Sequence, residues 1–206
     1  MVEAELHRWT GNAVIWHYAR LVPSSAATAL DAGFLTELLD AVPAALAQLS
    51  ALPRRRVYLA CTSAAFMYQE RAGSASRNDR ITVVSAFDAI TAVLSEHGAS
   101  RVVLLAPYPH DVTDTEGRMF GQSGVAVTAC ASLGLDDSYW GVTRDQIKEL
   151  IGKVSDEALG KAEAIVLSCT GWPTLGLIRP LRRRLGKPVI SSNLAMAWHA
   201  RRSWEG

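Results

Sequence analysis

The sequence predicts an α/β protein built on parallel strands. Short apolar runs rich in β-branched residues alternate along the chain with segments of helical periodicity. Turn and capping residues separate the two kinds of segment, an alternation typical of parallel strands joined by crossover helices. In addition, a Cys-Thr pair follows an apolar run in each half of the chain, at Cys61 and at Cys169. These paired segments indicate two similar halves.

Seven apolar runs are predicted as strands because each is short and is followed by a turn signal or a helical pattern. They cover residues 13–22, 57–61, 81–85, 101–108, 125–133, 164–169 and 188–192.

Four segments between these runs carry helical periodicity together with start or stop signals. They are residues 31–49, interrupted at Pro43; residues 88–98, ending at Gly98; residues 143–154, with Thr143 and Gln146 at capping-box spacing; and residues 174–186, ending at Gly186.

Composition excludes several classes of protein. The chain has 206 residues, of which 49% are hydrophobic and 20% charged, as expected for one globular domain or two small lobes. A formal net charge of +1 gives no sign of a nucleic-acid partner. We find no signal-peptide core and no run long enough to span a bilayer, so we expect a cytoplasmic protein without a membrane partner. Three widely spaced cysteines predict free thiols, with neither a disulfide framework nor a metal site.

Cys61 and Cys169 are predicted to lie where a strand gives way to a helix. Ligands of open parallel sheets bind beyond the carboxyl ends of the strands. Pro173 suits the first turn of a helix, and helix starts favour thiolates and bind carboxylates. The alternative is that each cysteine is a small buried apolar residue. We interpret Cys130, inside a predicted strand and without a following threonine, in that structural way.

Four segments, taken in order, resemble a known family. They are CTSAAF, APYPHD, LSCTGWPTLGLI and GKPVISSNLAMAW, and they are similar to the Asp/Glu racemase superfamily, in its maleate cis-trans isomerase and arylmalonate decarboxylase branch. The resemblance covers about residues 55–200. It implies two Rossmann-like lobes with parallel sheets related by pseudo-two-fold symmetry, and a cofactor-free active site between them that uses one or two cysteines. We expect residues 1–80 with 188–206 to form the first lobe and residues 81–187 the second.

The resemblance also implies roles for individual residues. Cys61 matches the first-lobe cysteine, with Thr62 and Ser63 beside it as donors to a carboxylate or enediolate. Tyr108 matches a tyrosine that touches the substrate carboxylate. In the second lobe, Cys169 and Thr170 match the cysteine and its neighbour.

The pair of cysteines favours isomerase or racemase chemistry, because the decarboxylases of this branch lack the first cysteine. Thiol chemistry agrees with this, since a thiolate and a thiol on opposite faces can act as nucleophile or base and as acid. For maleate, the resemblance implies that Cys61 attacks an alkene carbon, the new single bond rotates, and Cys169 manages the proton.

The front of the chain departs from the family pattern. Relatives begin with a strand leading into a Pro-Ser-Ser-Asn-type loop whose asparagine holds a substrate carboxylate. Either residues 21–28 represent that loop, with Ala26 at the asparagine position, or residues 13–22 represent the second strand and nothing stands at that position. We prefer the second interpretation, and expect a partner chain in a homodimer or higher homo-oligomer, or the N-terminal MVEAELHRW segment, to cover the open edge.

Three functions remain open at the level of sequence. The first is a cofactor-independent isomerase or racemase of a small mono- or dicarboxylic acid, of the maleate isomerase type, with arylmalonate decarboxylase-like activity as a variant. The second is a catalytically impaired family member that binds a carboxylate or a protein partner. In the third, Cys61 and Cys169 form a reversible disulfide.

Overall fold

The structure is a computed structural model that describes residues 1–24, 31–52, 56–65 and 81–202. Within these ranges the strands form two parallel sheets, which confirms the predicted α/β class. The strands are β1 (Arg56–Leu59), β2 (Thr82–Ser85), β3 (Arg101–Ala106), β4 (Ala126–Ser132), β5 (Ala164–Leu167) and β6 (Val189–Ser191).

The first sheet pairs β1 with β2, with Arg56 opposite Thr82. The second has the order β4-β3-β5-β6, and all its neighbours are parallel. All four residues of β5 are buried, as are five of the six in β3. Strands covered on both faces read as continuous apolar runs, which is why the sequence revealed them clearly.

Helices connect the strands and cover the sheets. Among the described residues they are α1 (Val2–Thr10), α2 (Ala32–Asp40), α3 (Val42–Gln48), α4 (Ala86–Glu96), α5 (His110–Gln122), α6 (Arg144–Gly152), α7 (Asp156–Lys161), α8 (Ile178–Leu185) and α9 (Ser192–Arg202). None of the helices in the described part of the chain has both the length and the apolar character needed to cross a bilayer.

Three predicted start and stop signals of helices are confirmed. Pro43 lies in the first turn of α3, after a break between α2 and α3. Thr143 and Gln146 form both hydrogen bonds of a capping box at the start of α6. Gly186 ends α8 with φ of 64°, in the left-handed region that favours glycine.

The strand predicted at residues 13–22 is wrong. Residues 11–13 form a short 3₁₀ turn, and residues 14–23 have no regular secondary structure. The segment is extended at Val14, and its side chains alternate: Trp16 and Tyr18 pack on the core, whereas Ile15 is 83% exposed. It fails to be a strand because it has no backbone ladder with another described strand. Most of the MVEAELHRW segment forms the helix α1. Coverage of an open edge by this segment or by a partner chain stays a prediction.

One hydrophobic cluster joins the two sheets. It contains Val84 from β2, Leu104 from β3 and Val166 from β5, packed with α4, α9 and Leu6 of α1. In the structure, β2 pairs with β1, and β6 pairs with β5. The expected boundaries assign β2 and β5 to the second lobe (residues 81–187), and β1 and β6 to the first (residues 1–80 with 188–206). The division of the chain into lobes stays a prediction.

Candidate active site

Three strand ends lead to the predicted site residues. β1 leads to Cys61, β3 leads to Tyr108, and β5 leads to Cys169. Since β3 and β5 are hydrogen-bonded neighbours, Tyr108 and Cys169 leave the same edge of the second sheet. Carboxyl ends of parallel strands are where ligands of such folds bind.

Cys61 lies between a strand and a helical turn, as predicted. Residues 62–65 are helical, and the Ala65 N–H donates to the Cys61 carbonyl at 3.2 Å. The Cys61 side chain is partly exposed, and its Sγ lies 3.5 Å from Ser63 Oγ. Cys61 is therefore accessible to a small molecule.

Cys169 has a different environment from the one predicted. The helix after it begins at Ile178 rather than at Pro173, so Cys169 does not lie at a helix start. Its residue is only 5% exposed, and burial raises the pKa of the thiol to about 12. Hydrogen bonds from the Tyr108 hydroxyl and from the Gly171 N–H, the latter at 3.3 Å, oppose that shift without cancelling it. Cys169 is therefore a protonated thiol at neutral pH.

The two cysteine segments are in direct contact through their neighbours. The Thr170 hydroxyl donates to the carbonyl of Ala60 at 3.0 Å, which links the residue after Cys169 to the residue before Cys61. A charged Cys61 would also raise the pKa of Cys169, as expected for two thiols that share one region. The structure thus brings together the paired segments that the sequence singled out.

Two predicted hydroxyl donors are already engaged within the protein. Thr62 is buried, and its Oγ1 lies 3.1 Å from Ser192 Oγ at the start of α9. The hydroxyl hydrogen of Thr170 is used by Ala60. Thr170 therefore connects the two cysteine segments. Thr62 and Ser192 each have one hydroxyl hydrogen, and only one of these is used in the bond between them, so the other remains available to a ligand.

Tyr108 is buried, and its position is fixed from several sides. Burial raises the pKa of its phenol well above the ordinary value, and nearby Cys169 adds to the shift, so the ring carries its proton. The Ser132 hydroxyl donates to the Tyr108 carbonyl. The ring meets that of Tyr139 edge-on, with centroids 5.5 Å apart and planes at 80°. Tyr108 is thus a neutral hydroxyl held beside Cys169.

Sequence reasoning missed Glu116, a buried acid behind this region. Glu116 lies on α5, has no exposed surface, and accepts a hydrogen bond from the Ser168 hydroxyl. Its second carboxyl oxygen has no hydrogen-bond partner among the described residues. Burial raises the pKa of Glu116 to about 8, with the Ser168 bond working in the opposite direction. Tyr139 and Ser192 were also missed; only Ser192 lies within a segment that the sequence had singled out.

Cys130 does not join the strand-end cluster. It lies in the middle of β4, opposite Leu104, as the predicted strand requires. The residue is exposed because β4 is an edge strand, which corrects the expectation that it is buried. Its Sγ packs against Gly117 of α5, and desolvation there raises the thiol pKa to about 11.

The chain is similar in sequence to two curated enzymes. It is 34% identical to arylmalonate decarboxylase of Bordetella bronchiseptica over 105 residues, which cover 50% of this chain and 43% of that protein. It is 32% identical to maleate isomerase of Geobacillus stearothermophilus over 111 residues, which cover 53% of this chain and 44% of that protein. The matched part spans less than half the length of either relative.

Solved structures of both kinds of enzyme share the fold. A mutant of Nocardia farcinica maleate cis-trans isomerase with a covalently bound succinylcysteine intermediate has a TM-score of 0.83 at 19% identity, over 99% of this chain and 87% of that chain. A liganded double mutant of arylmalonate decarboxylase has a TM-score of 0.75 at 26% identity, over 84% and 77%.

A family model provides the broadest sequence match. The model described as arylmalonate decarboxylase aligns with residues 30–205, well over half of the 206 residues, and includes β1, β3, β5 and both cysteines that follow β1 and β5. With the shared two-lobe α/β fold, this match establishes that the chain belongs to the arylmalonate decarboxylase family.

Proposed function

We propose that this chain is a cofactor-independent isomerase that interconverts the cis and trans forms of a small unsaturated dicarboxylic acid such as maleate. The contact between Thr170 and Ala60, which sets the two cysteine segments side by side, carries the proposal. In the proposal Cys61 and Cys169 are the catalytic residues. Thr62, Ser63, Tyr108 and Thr170 form the substrate-binding wall.

The environments of the two thiols favour different roles. Cys61 is partly exposed and can meet a substrate carbon, which suits a nucleophile. Cys169 is buried and holds its proton, because burial raises its pKa to about 12, and this suits a proton donor. The asymmetry in burial supports attack by Cys61 and proton transfer by Cys169.

The proposed reaction needs only these groups and the substrate. The Cys61 thiolate adds to one alkene carbon and forms a C–S bond, and the π electrons pass to the neighbouring carbon and into its carboxylate. Cys169 gives its proton to that carbon, and the former double bond rotates as a single bond. The resulting Cys169 thiolate then takes a proton back from the same carbon. The C=C bond re-forms in the trans geometry as the C–S bond breaks.

Two hydrogen bonds stabilise the thiolate form of Cys169 during this cycle. The Gly171 N–H donates to its Sγ at 3.3 Å, and a hydrogen bond from the Tyr108 hydroxyl also lowers the pKa of the thiol. Donors placed in advance around a developing charge lower the barrier to its formation. The Nocardia enzyme of the same fold carries a succinylcysteine intermediate. The equivalent adduct here is expected on Cys61.

Proton NMR of maleate and fumarate, followed with the purified chain, tests the proposal. Cys61→Ser and Cys169→Ser should each lower turnover by about 10³-fold or more, as the loss of a catalytic group does. Cys130→Ser is the matched control and should retain turnover. In the Cys169→Ser protein, mass spectrometry should find one maleate added at Cys61. Equal loss from all three variants, or no isomerisation by the unchanged chain, contradicts the proposal.

Decarboxylation of an arylmalonate is a second candidate, favoured by the family match over residues 30–205. Loss of CO2 leaves an enediolate that the Cys169 thiol can protonate. Release of CO2 from an arylmalonate, without isomerisation of maleate, would select this reaction. Maleate binding in calorimetry without either turnover would select the catalytically impaired alternative.

Assembly and location stay predictions. Ile15 and Val22, 83% and 70% exposed, are apolar residues on the segment at 14–23, and they support the proposal of a homodimer or higher homo-oligomer. A cytoplasmic location is proposed from the sequence alone.

A further inference from the structure

Glu5 is a buried acid in the N-terminal helix α1. Its residue is 2% exposed, although it belongs to the most hydrophilic class of side chains. It forms no ion pair with another described residue. A buried carboxylate persists only where hydrogen-bond donors converge on it.

Three donors from two distant parts of the chain converge on Glu5. The N–H of Leu175 donates to Oε1 at 2.8 Å. The hydroxyl of Thr174 donates to Oε2 at 2.7 Å, and the side-chain amide of Asn193 donates to the same oxygen at 3.1 Å. Thr174 and Leu175 belong to the loop that leads from Cys169 to α8, and Asn193 belongs to α9.

Asn193 extends this set of bonds to the cysteine segments. Its second amide hydrogen reaches the carbonyl of Thr170 at 3.0 Å. The hydroxyl of Thr170 in turn donates to Ala60, next to Cys61. Glu5 therefore holds both ends of the loop at residues 170–175, directly at Thr174 and Leu175 and through Asn193 at Thr170.

We propose that Glu5 is a positioning residue of the active site, whose carboxylate fixes the loop that carries Cys169. Its expected effect on catalysis rests on the proposed isomerase function. Its effect on the exposure of Cys169 does not.

Glutamine at position 5 cannot make the same bonds. A carboxylate presents acceptors at both oxygens, whereas a carboxamide replaces one acceptor with two donors. In Glu5→Gln the NH₂ group faces either Leu175 N–H or the Thr174 and Asn193 donors, so at least one buried donor loses its partner. The loop then opens more readily, while most of the packing of α1 is retained.

Glu3→Gln is the matched control. Glu3 lies on the same helix, but its carboxylate is partly exposed and pairs with Arg20 at the surface. Glu3→Gln should change neither the alkylation rate of Cys169 nor turnover, because exposed ion pairs contribute little to stability.

The first readout is alkylation of Cys169 by iodoacetamide, followed by peptide mapping in a Cys61→Ser background. Glu5→Gln should speed this alkylation about tenfold or more, the factor that corresponds to one lost bond to a charged group, relative to Cys130 in the same sample. The second readout is turnover, measured with Cys61 intact: kcat should fall about 10- to 100-fold with KM changed less than about threefold, as for a displaced catalytic group. Circular dichroism should show the native fold in each variant.

Asn193→Leu provides an independent test, also if Glu5→Gln does not fold. It leaves Glu5 its bonds to Thr174 and Leu175 but cuts the connection to Thr170. It should also speed Cys169 alkylation, and the double variant should add little to either single change, as for two members of one network. Unchanged alkylation in both single variants, or the same small effect in Glu5→Gln as in Glu3→Gln, overturns the proposal. If the unchanged chain does not isomerise maleate, the proposed function fails, and the alkylation rates still decide the role of Glu5.

Discussion

Replacing Glu116 with glutamine should stabilise the protein, and the gain should grow with pH. Glu116 is fully buried, accepts a bond from Ser168, and leaves its second oxygen without a partner among the described residues. Glutamine has nearly the same shape as the protonated acid and can still accept the Ser168 bond. It cannot ionise, however, so it avoids placing a buried charge behind Cys169.

The magnitude follows from the pKa of Glu116, which burial raises from 4.5 to about 8. Between these two values the folded chain keeps a proton that the unfolded chain releases, so rising pH favours unfolding. Each pH unit in this window costs about 1.4 kcal/mol. From about pH 5 to about pH 7 the free energy of unfolding should therefore fall by up to about 2.5 kcal/mol relative to Glu116→Gln. The stability that the neutral Glu116 carboxyl provides at low pH is lost completely once the pH exceeds about 8.

Thermal unfolding of both proteins at several pH values between 5 and 8 measures this effect. A difference of about 2.5 kcal/mol corresponds to a shift of about 5 to 10 °C in Tm for a chain of this size. Among the described residues, the titratable groups with pKa values raised by Glu116 are Cys169, Tyr108 and Cys130, and all three stay neutral in this window. The pH dependence of the difference between the two proteins therefore reports Glu116 itself.

Glu163→Gln is a control for which the expected change in stability has the opposite sign. The Glu163 carboxylate accepts bonds from Ser100 and Arg101, which lower its pKa, so the replacement should destabilise the protein slightly at neutral pH. If Glu116→Gln were less stable than the unchanged chain at pH 7, or if its advantage did not grow with pH, the carboxyl of Glu116 would not be held neutral by burial, and the reasoning would be refuted.

Two further predictions concern the thiols. Iodoacetamide at pH 7 should modify Cys61 before Cys169 or Cys130. Cys61 is partly exposed, Cys169 is buried with a thiol pKa raised to about 12, and desolvation raises the pKa of the exposed Cys130 thiol to about 11. A small dicarboxylate should slow the reaction of Cys61, and peptide mapping that finds Cys130 modified first would count against the proposed site. Tyr108→Phe should lower kcat about 100-fold with little change in Tm, since it removes one hydrogen bond to the Cys169 sulfur; unchanged kcat would remove Tyr108 from the mechanism.

Local signals in the sequence predicted most of the regular structure. Buried strands such as β3 and β5 appear as uninterrupted apolar runs, and the cap residues Thr143 and Gly186 act within one helical turn. Such features depend on a few neighbouring residues, so they can be predicted from the sequence without knowledge of the fold.

Features that depend on distant partners could not be predicted in this way. Residues 13–22 have the alternating side-chain exposure of a strand, but a strand also needs a neighbour, which the pattern does not encode. The inward face of α5 is formed by Thr113, Glu116 and Phe120, two of which are polar, so hydrophobic periodicity does not reveal that helix. Glu5 is buried by residues about 170 positions away along the chain.

The chemistry of Cys169 was predicted only in part. The sequence predicted correctly that Cys169 follows a strand. It also predicted, from Pro173, a helix start that would favour the thiolate. The helix begins at Ile178 instead, and burial decides the protonation state. The balance between burial and hydrogen bonding depends on three-dimensional surroundings, which composition cannot supply.

The bond between Thr170 and Ala60 has a consequence for how such a site can change over time. Its acceptor is a main-chain carbonyl, so the side chain at position 60 takes no part in the bond that connects the two cysteine segments. The side chain at position 170 does take part, because the donor must be a hydroxyl of fixed reach: serine preserves the span and valine abolishes it. The spacing of the two cysteine segments is therefore inherited through residue 170, and a lineage in which that spacing changes is expected to vary residue 170 before residue 60.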